Sequence, residues 1–266
     1  MKKLKMLLAV IAMICAASLP ADAGQTLERI LKEKKMVVGV APWNRFVALN
    51  PQTQKYEGYI ADDIYNLEAL TGIKVEIVNT SWSGLIAGLQ AGKWDIIMTG
   101  LGATPERATA VAFSEPYGFI SATALLRADN QAANRADLDK PGNVIAAVAG
   151  TAQQKFAQRV FKNARVVGYN DTAAAVLEVM QGRATAYMGD SVSNALRAKE
   201  RPAEMRNLVF ANGETEWNSL NHAVRYQDLD LLVFIDTYLR TMKLRGWYKE
   251  LAEKWGLPAE MATGPN

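Results

Sequence analysis

Between residues 36 and 101 the chain alternates apolar runs with helix-spaced segments, and few folds accept that order. "MVVGVA" is a strand with no polar break. "YIADDIYNLEALTG" places Ile60, Ile64, Leu67 and Leu70 at helical spacing before Gly72, a C-cap residue. "IKVEIVN" alternates as a strand, "WSGLIAGLQAG" reads as a helix closed by Gly92, and "WDIIMTG" is a strand again. The order β-α-β-α-β predicts a mostly parallel sheet covered by helices.

The pattern restarts after residue 143. "VIAAVAG", "ARVVGYN" and "ATAYMGD" read as strands; "TAQQKFAQRVF", "TAAAVLEVMQG" and "SVSNALRAKE" read as helices. "SATALLRAD" is a strand leaving the first unit, and "NQAANRADLDKPGN" is polar and loop-like. The expected fold is α/β with two Rossmann-like lobes. The first is expected over residues 24–126 and the second over 127–220, inserted in the first if 221–266, with "HAVRYQ" and two terminal helices, return to it.

Residues 1–23 are read as a cleaved signal peptide. "MKKLK" is a basic start, "MLLAVIAMICAASL" an apolar run too short to span a bilayer comfortably, and Ala21-Asp22-Ala23 a small-x-small cleavage site. Its removal takes three lysines and Asp22, so 30 basic and 27 acidic residues become 27 and 26. That balance carries no nucleic-acid footprint. The one cysteine, Cys15, leaves with the leader, which excludes disulfides and thiolate chemistry in the mature chain. His222, the only histidine, cannot build a histidine metal site, so no metal and no cofactor are expected, and its expected role is structural or at the surface.

Ligands of open α/β sheets bind beyond the carboxyl ends of strands. In the first lobe that end is "TGLGATPER". Thr104 reads as an N-cap, Pro105 as the first helical residue, and Arg107 adds a planar fork suited to a carboxylate. Gly100 and Gly102 leave bare backbone for a ligand. A local Glu106–Arg107 pair is the competing reading. "AVAGTAQQKF" repeats the device in the second lobe, with backbone donors at Gly150 to Ala152. Asp190 ends the strand "AYMGD" as an acid placed for a cation, or alternatively as the cap of the next helix. A carboxylate grip on one lobe and donors plus an acid on the other together fit a zwitterion. Trp82, Trp43 and Phe46 supply aromatic walls near the same end; Trp94 is expected in the core, and Trp247 and Trp255 in the core or on the lobe surface.

"WxxLIxxLxxGKxD" at 82–95, "TPERAxxVxFSEPY" at 104–117, "AGTAQQKF" at 149–156 and "GDS" at 189–191 resemble the periplasmic solute-binding proteins of polar amino-acid ABC transporters. The resemblance runs from about Thr26 to Trp255. It implies the type II periplasmic binding protein fold, with two lobes joined by two hinge strands and closing on an amino acid. It implies a periplasmic monomer serving an ABC permease of the inner membrane. By the same resemblance Arg107 holds the α-carboxylate, with Thr99, Gly100 and Gly102 lining that side. Thr151 and Ala152 face it from the second lobe, where Ala152 gives a backbone donor, and Asp190 takes the α-ammonium. Trp82 is one wall, and Trp43 or Phe46 the other.

Gly102 and Ala152 stand where hydroxyl residues are frequent in the family, which removes two contacts. The chain also resembles cyclohexadienyl dehydratases in "LERILK", "TSW", "PER" and "KFA". Those exported enzymes eliminate water and need a general acid. Ser193 stands where their glutamate is expected, and "GTA" replaces "GTN", so the expectation is a binding protein with no catalysis. A ligand-sensing ectodomain working with a separate partner chain is a third reading.

Overall fold

The computed structural model describes residues 24–211, 213–258 and 261; the leader read at 1–23 lies outside them. The first lobe opens with helix α1 (Gln25–Glu33) and strand β1 (Lys35–Val40). A short hairpin follows, β2 (Ala48–Leu49) with β3 (Tyr56–Glu57), and then α2 (Tyr59–Thr71), β4 (Lys74–Asn79), α3 (Leu85–Gln90) and β5 (Ile96–Leu101). β1 runs parallel to both β4 and β5. All six residues of β5 are buried, as a central strand covered on both faces requires.

The α2 spacing works as read for Ile60, Ile64 and Leu67, which are buried, but not for Leu70, which faces solvent. Gly72 ends the helix in the left-handed region and donates its N–H to the Glu68 carbonyl at 2.8 Å. Trp94 is a core residue, and two glycines make its slot. A Cβ on Gly88 would stand 2.0 Å from the indole, and one on Gly39 2.7 Å from it. The segment from Trp82 begins as a 3-10 turn (Trp82–Gly84) before α3.

The second lobe comprises α4 (Arg135–Leu138), β8 (Val144–Val148), α5 (Ala152–Val160), β9 (Arg165–Tyr169), α6 (Thr172–Met180), β10 (Ala186–Asp190), α7 (Ser191–Glu200) and β11 (Met205–Leu208). β8 runs parallel to β9 and β10. It buries Ile145 and Ala147 in one apolar cluster and Ala146 and Val148 in another, the period-two division of a strand covered on both faces.

Two long strands connect the halves: β7 (Gly118–Arg127) and β12 (Trp217–Val224). β7 pairs with β12 over 118–121 and with β10 over 122–125, both antiparallel. β12 then pairs with β5 and with β6 (Ala112–Phe113) beyond Asn221. The hydrogen-bonded path β4-β1-β5-β12-β7-β10-β8-β9 is therefore continuous across both lobes. β12 starts five residues ahead of the expected "HAVRYQ", and β11 was not expected.

The terminal helices α8 (Leu229–Leu244) and α9 (Trp247–Trp255) return to the first lobe, and a buried acid anchors them. Asp63 of α2 accepts from the Tyr238 hydroxyl at 2.6 Å, the Trp247 indole at 2.9 Å and the Tyr248 hydroxyl at 3.3 Å. Burial lifts its carboxyl to about 6 against those three donors. Trp255 donates to neighbouring Asp62 at 2.7 Å. His222 is fully buried on β12, stacked on Tyr117 at 4.7 Å, and desolvation pulls its imidazole down to about 3.

Candidate functional site

The two lobes enclose a cavity of ≈ 50 Å³ lined by Trp43, Trp82, Gly100, Gly102, Arg107, Thr151, Ala152 and Asp190, among others. That is room for roughly four waters. Eight of the ten residues expected at the site thus meet in one place, and Thr99 and Phe46 do not line it.

Thr99 is wholly buried behind the cavity. Its hydroxyl donates to the Ala41 carbonyl at 2.9 Å and accepts from the Ala41 N–H at 3.3 Å, which ties the end of β5 to the end of β1. Phe46 is equally buried, stacked 3.7 Å behind Trp43 at 13°. Trp43 therefore lines the cavity and Phe46 backs it. Trp82 meets Trp43 edge to face at 5.9 Å.

The expected helix at Arg107 is only a 3-10 turn (Arg107–Thr109). Thr104 does accept from the Arg107 N–H at 3.2 Å, as a cap would, but no helix of useful length follows to carry a dipole. The guanidinium is left to do the work. Nη1 donates to the Gly102 carbonyl and Nη2 to the Gly150 carbonyl of the other lobe, both at 2.8 Å. Desolvation pulls its pKa below the ordinary arginine value, the nearby Glu106 charge opposing this. Both acceptors are neutral, so a largely buried cation stands in the cleft without a carboxylate bonded to it. Glu106 is not that carboxylate; its Oε1 reaches across the cleft to Lys155 at 3.2 Å.

The second lobe's junction does build a helix. Thr151 caps α5, accepting from the Gln154 N–H at 3.2 Å. Ala152 and Gln153 line the cavity in the first turn, where N–H groups have no acceptors within the helix. Gly150 is not a free donor as expected, because its N–H is taken by the Gln154 side chain at 2.9 Å.

Asp190 is both things the sequence allowed. Oδ1 caps α7 by accepting from the Ser193 N–H at 2.7 Å, while Oδ2 accepts from the Trp43 indole at 3.1 Å. The same indole N–H lies 3.0 Å from the Ser193 hydroxyl. No cation pairs with this buried acid among the described residues. Gly100 also differs from expectation: the space its missing Cβ leaves is filled by the Trp43 ring, 2.7 Å from where a Cβ would stand.

Sequence reading missed Asn218 and Tyr187, which both line the cavity. Asn218 is buried with an unpartnered Nδ2. It sits beside Gly102, where a Cβ would stand 3.3 Å from its Oδ1. Its signal was a polar residue at a buried position of a strand. Burial raises the Tyr187 hydroxyl to about 12. Among the described residues no cluster of acids, histidines or cysteines could hold a metal, and no helix is long and apolar enough to cross a membrane.

The cyclohexadienyl dehydratase of Pseudomonas aeruginosa is 27% identical, over 93% of this chain and 92% of its own. The solved ancestral amino acid-binding protein AncCDT-1, a precursor of cyclohexadienyl dehydratase, is 33% identical with a TM-score of 0.79, over 86% of this chain and 98% of its own. A putative ABC-transporter binding component from Wolinella succinogenes, solved with lysine, is 29% identical with a TM-score of 0.76, over 84% and 95%. The sequence pattern of one family matches residues 36–258, and with the fold and the interlobe cavity this places the chain among the bacterial extracellular solute-binding proteins, family 3.

Proposed function

We propose that the protein is the periplasmic substrate-binding component of an ABC importer, a monomer that closes its lobes on an amino acid or a similar small zwitterion. The observation that carries this reading is the charge of the cavity. A half-buried guanidinium and a buried carboxylate line the same space, and each is hydrogen-bonded only to neutral groups. Uncompensated buried charge is unfavourable, and a ligand with an α-carboxylate and an α-ammonium compensates both at once. In this reading Arg107 takes the carboxylate, Ala152 adds a backbone donor, Asp190 takes the ammonium, and Trp82 and Trp43 flank the side chain. The lobes divide where β7 changes partner, between Ser121 and Ala122, and again near Leu220. Export follows from the leader read at 1–23.

Binding without turnover is supported by the acid inventory of the cavity. Among the described residues Asp190 is the only carboxylate lining the cavity, and in this reading it accepts from the ligand's ammonium rather than delivering a proton. Ser193, at the position expected for the dehydratase glutamate, supplies a hydroxyl of the wrong acidity for a general acid. Calorimetric titration with the amino acids should give at least one micromolar ligand, about −8 kcal/mol. No heat from any of them would overturn the receptor reading. Prephenate and arogenate should leave no aromatic product, and turnover of either would establish an enzyme instead.

A further inference from the structure

Beyond Trp43 and Trp82 the cleft opens into a second chamber of ≈ 680 Å³, which both indoles also line. Pro42 of the first lobe and Val148, Thr172 and Val176 of the second complete much of its wall. A ligand head group held between Arg107 and Asp190 would send its side chain past the two indoles into this space. The edge-to-face contact of the indoles is the one a methylene chain would replace.

Arg197, on α7, enters the chamber. Its Nη1 is sealed from solvent and has no hydrogen-bond partner. The acids that follow it in sequence are paired with other arginines. Glu200 pairs with Arg45 at 2.7 Å, and Glu204 with Arg201 at 3.5 Å. Asp190 faces the central cavity with both oxygens engaged. Asp171, the one acid lining the chamber, is exposed and caps α6 by accepting from the Ala174 N–H at 2.8 Å. The chamber's other polar side chains, such as Asn44, Asn79 and Asn170, are neutral. Nη1 is closed off from the chamber as well as from bulk solvent, so an acceptor would meet Arg197 through its other nitrogens, and a carboxylate is the acceptor a guanidinium holds best. A cationic side chain would meet a like charge there, which disfavours it.

We propose that Arg197 sets specificity. The ligand is a dicarboxylic amino acid or a derivative of one, with its α-groups between Arg107 and Asp190 and its distal carboxylate on Arg197. This rests on the receptor reading and separates the chain from its Wolinella relative, which was solved with lysine.

The test is calorimetric titration of the purified exported protein with L-aspartate, L-glutamate, L-2-aminoadipate, L-lysine and L-arginine. At least one dicarboxylic amino acid should bind about 100-fold tighter than lysine or arginine. Arg197→Gln should weaken it by about 10- to 100-fold, Arg197→Lys should keep most of the affinity, and Arg197→Glu should turn the preference toward lysine. Circular dichroism checks each variant's fold. Lysine or arginine binding as tightly as the acidic ligands would overturn this inference and leave the receptor reading standing. No binding by any of the five, with binding by another amino acid, would also overturn it alone. An unchanged dicarboxylate affinity in Arg197→Gln would remove the residue from the site.

Discussion

The two strand-to-helix junctions of the cleft are written in nearly the same letters and fold differently. "GLGATPERATAVAF" and "AVAGTAQQKFAQRV" both offer glycine, a threonine cap and a helix-compatible first turn. The second becomes a nine-residue helix and the first a single 3-10 turn. The difference lies further along. After Thr151, Phe156 and Ala157 fall on one face and bury in the second lobe's core. After Thr104 there is no second apolar turn, because Val111 and Ala112 are claimed by the core and by β6. A cap can start a helix, but packing of an apolar face sustains it. In the proposed reading this divides the labour: backbone donors on one lobe, a guanidinium on the other.

Removing the guanidinium should have the largest effect. Arg107→Ala is expected to weaken amino-acid binding by more than about 100-fold while leaving thermal stability nearly unchanged, since the protein loses two bonds to carbonyls but also an unpaired buried charge. Calorimetry and a melting curve check both halves. A smaller effect should follow from Gly150, where the lobes touch. Its φ is 81°, and an added Cβ would stand 2.7 Å from the Ser83 backbone across the cleft. Gly150→Ala should therefore hold the lobes apart, weaken binding by about 10-fold or more, and block compaction in small-angle scattering. Gly142→Ala is the control, because its φ of 88° carries the same backbone strain with nothing within 4 Å of the new Cβ.

The first lobe holds two buried groups that respond to acid in opposite senses. The chain's single histidine lies in the first lobe's strand set, with a folded-state pKa of about 3 against 6.5 for an ordinary histidine. Its contribution to stability is complete above pH 6.5 and is lost as pH falls toward 3, because the unfolded chain takes up the proton first. Asp63, raised to about 6, acts in the opposite sense, adding stability as pH falls through 6. Comparing the wild type with His222→Phe cancels the Asp63 part. The variant should gain on the wild type by up to ~1.4 kcal/mol per pH unit below 6.5 in denaturant titrations. A constant difference between pH 7 and 5 would contradict the assignment. The smallest effect separates the two junctions themselves: Thr151→Ala should cost about 1 kcal/mol as a true cap, and Thr104→Ala only a few tenths.

Much of this was legible in the sequence. Parallel-sheet order, the α2 face, the Gly72 stop and the slot residue Trp94 all follow from periodicity and local chemistry. Arg107 and Asp190 were singled out because strand ends are where α/β ligands sit, and both line the interlobe cavity. What escaped was set by tertiary contact. Whether Phe46 or Trp43 faces the ligand depends on how the hairpin loop folds over Tyr59, with which Phe46 packs edge to face. Thr99 reads as a lining residue until its hydroxyl is seen on Ala41. Asn218 carries no motif at all. Gly100 was read as bare backbone left for a ligand, but what approaches it in this structure is the protein's own indole.

The central claim is that one zwitterion satisfies both poles of the cleft together. It is tested most directly by taking the tightest-binding amino acid and titrating the protein with its decarboxylated amine and its deaminated acid. Each should bind at least about 100-fold more weakly than the parent, since each leaves one buried charge unanswered. Full affinity for either truncated analogue would contradict the account.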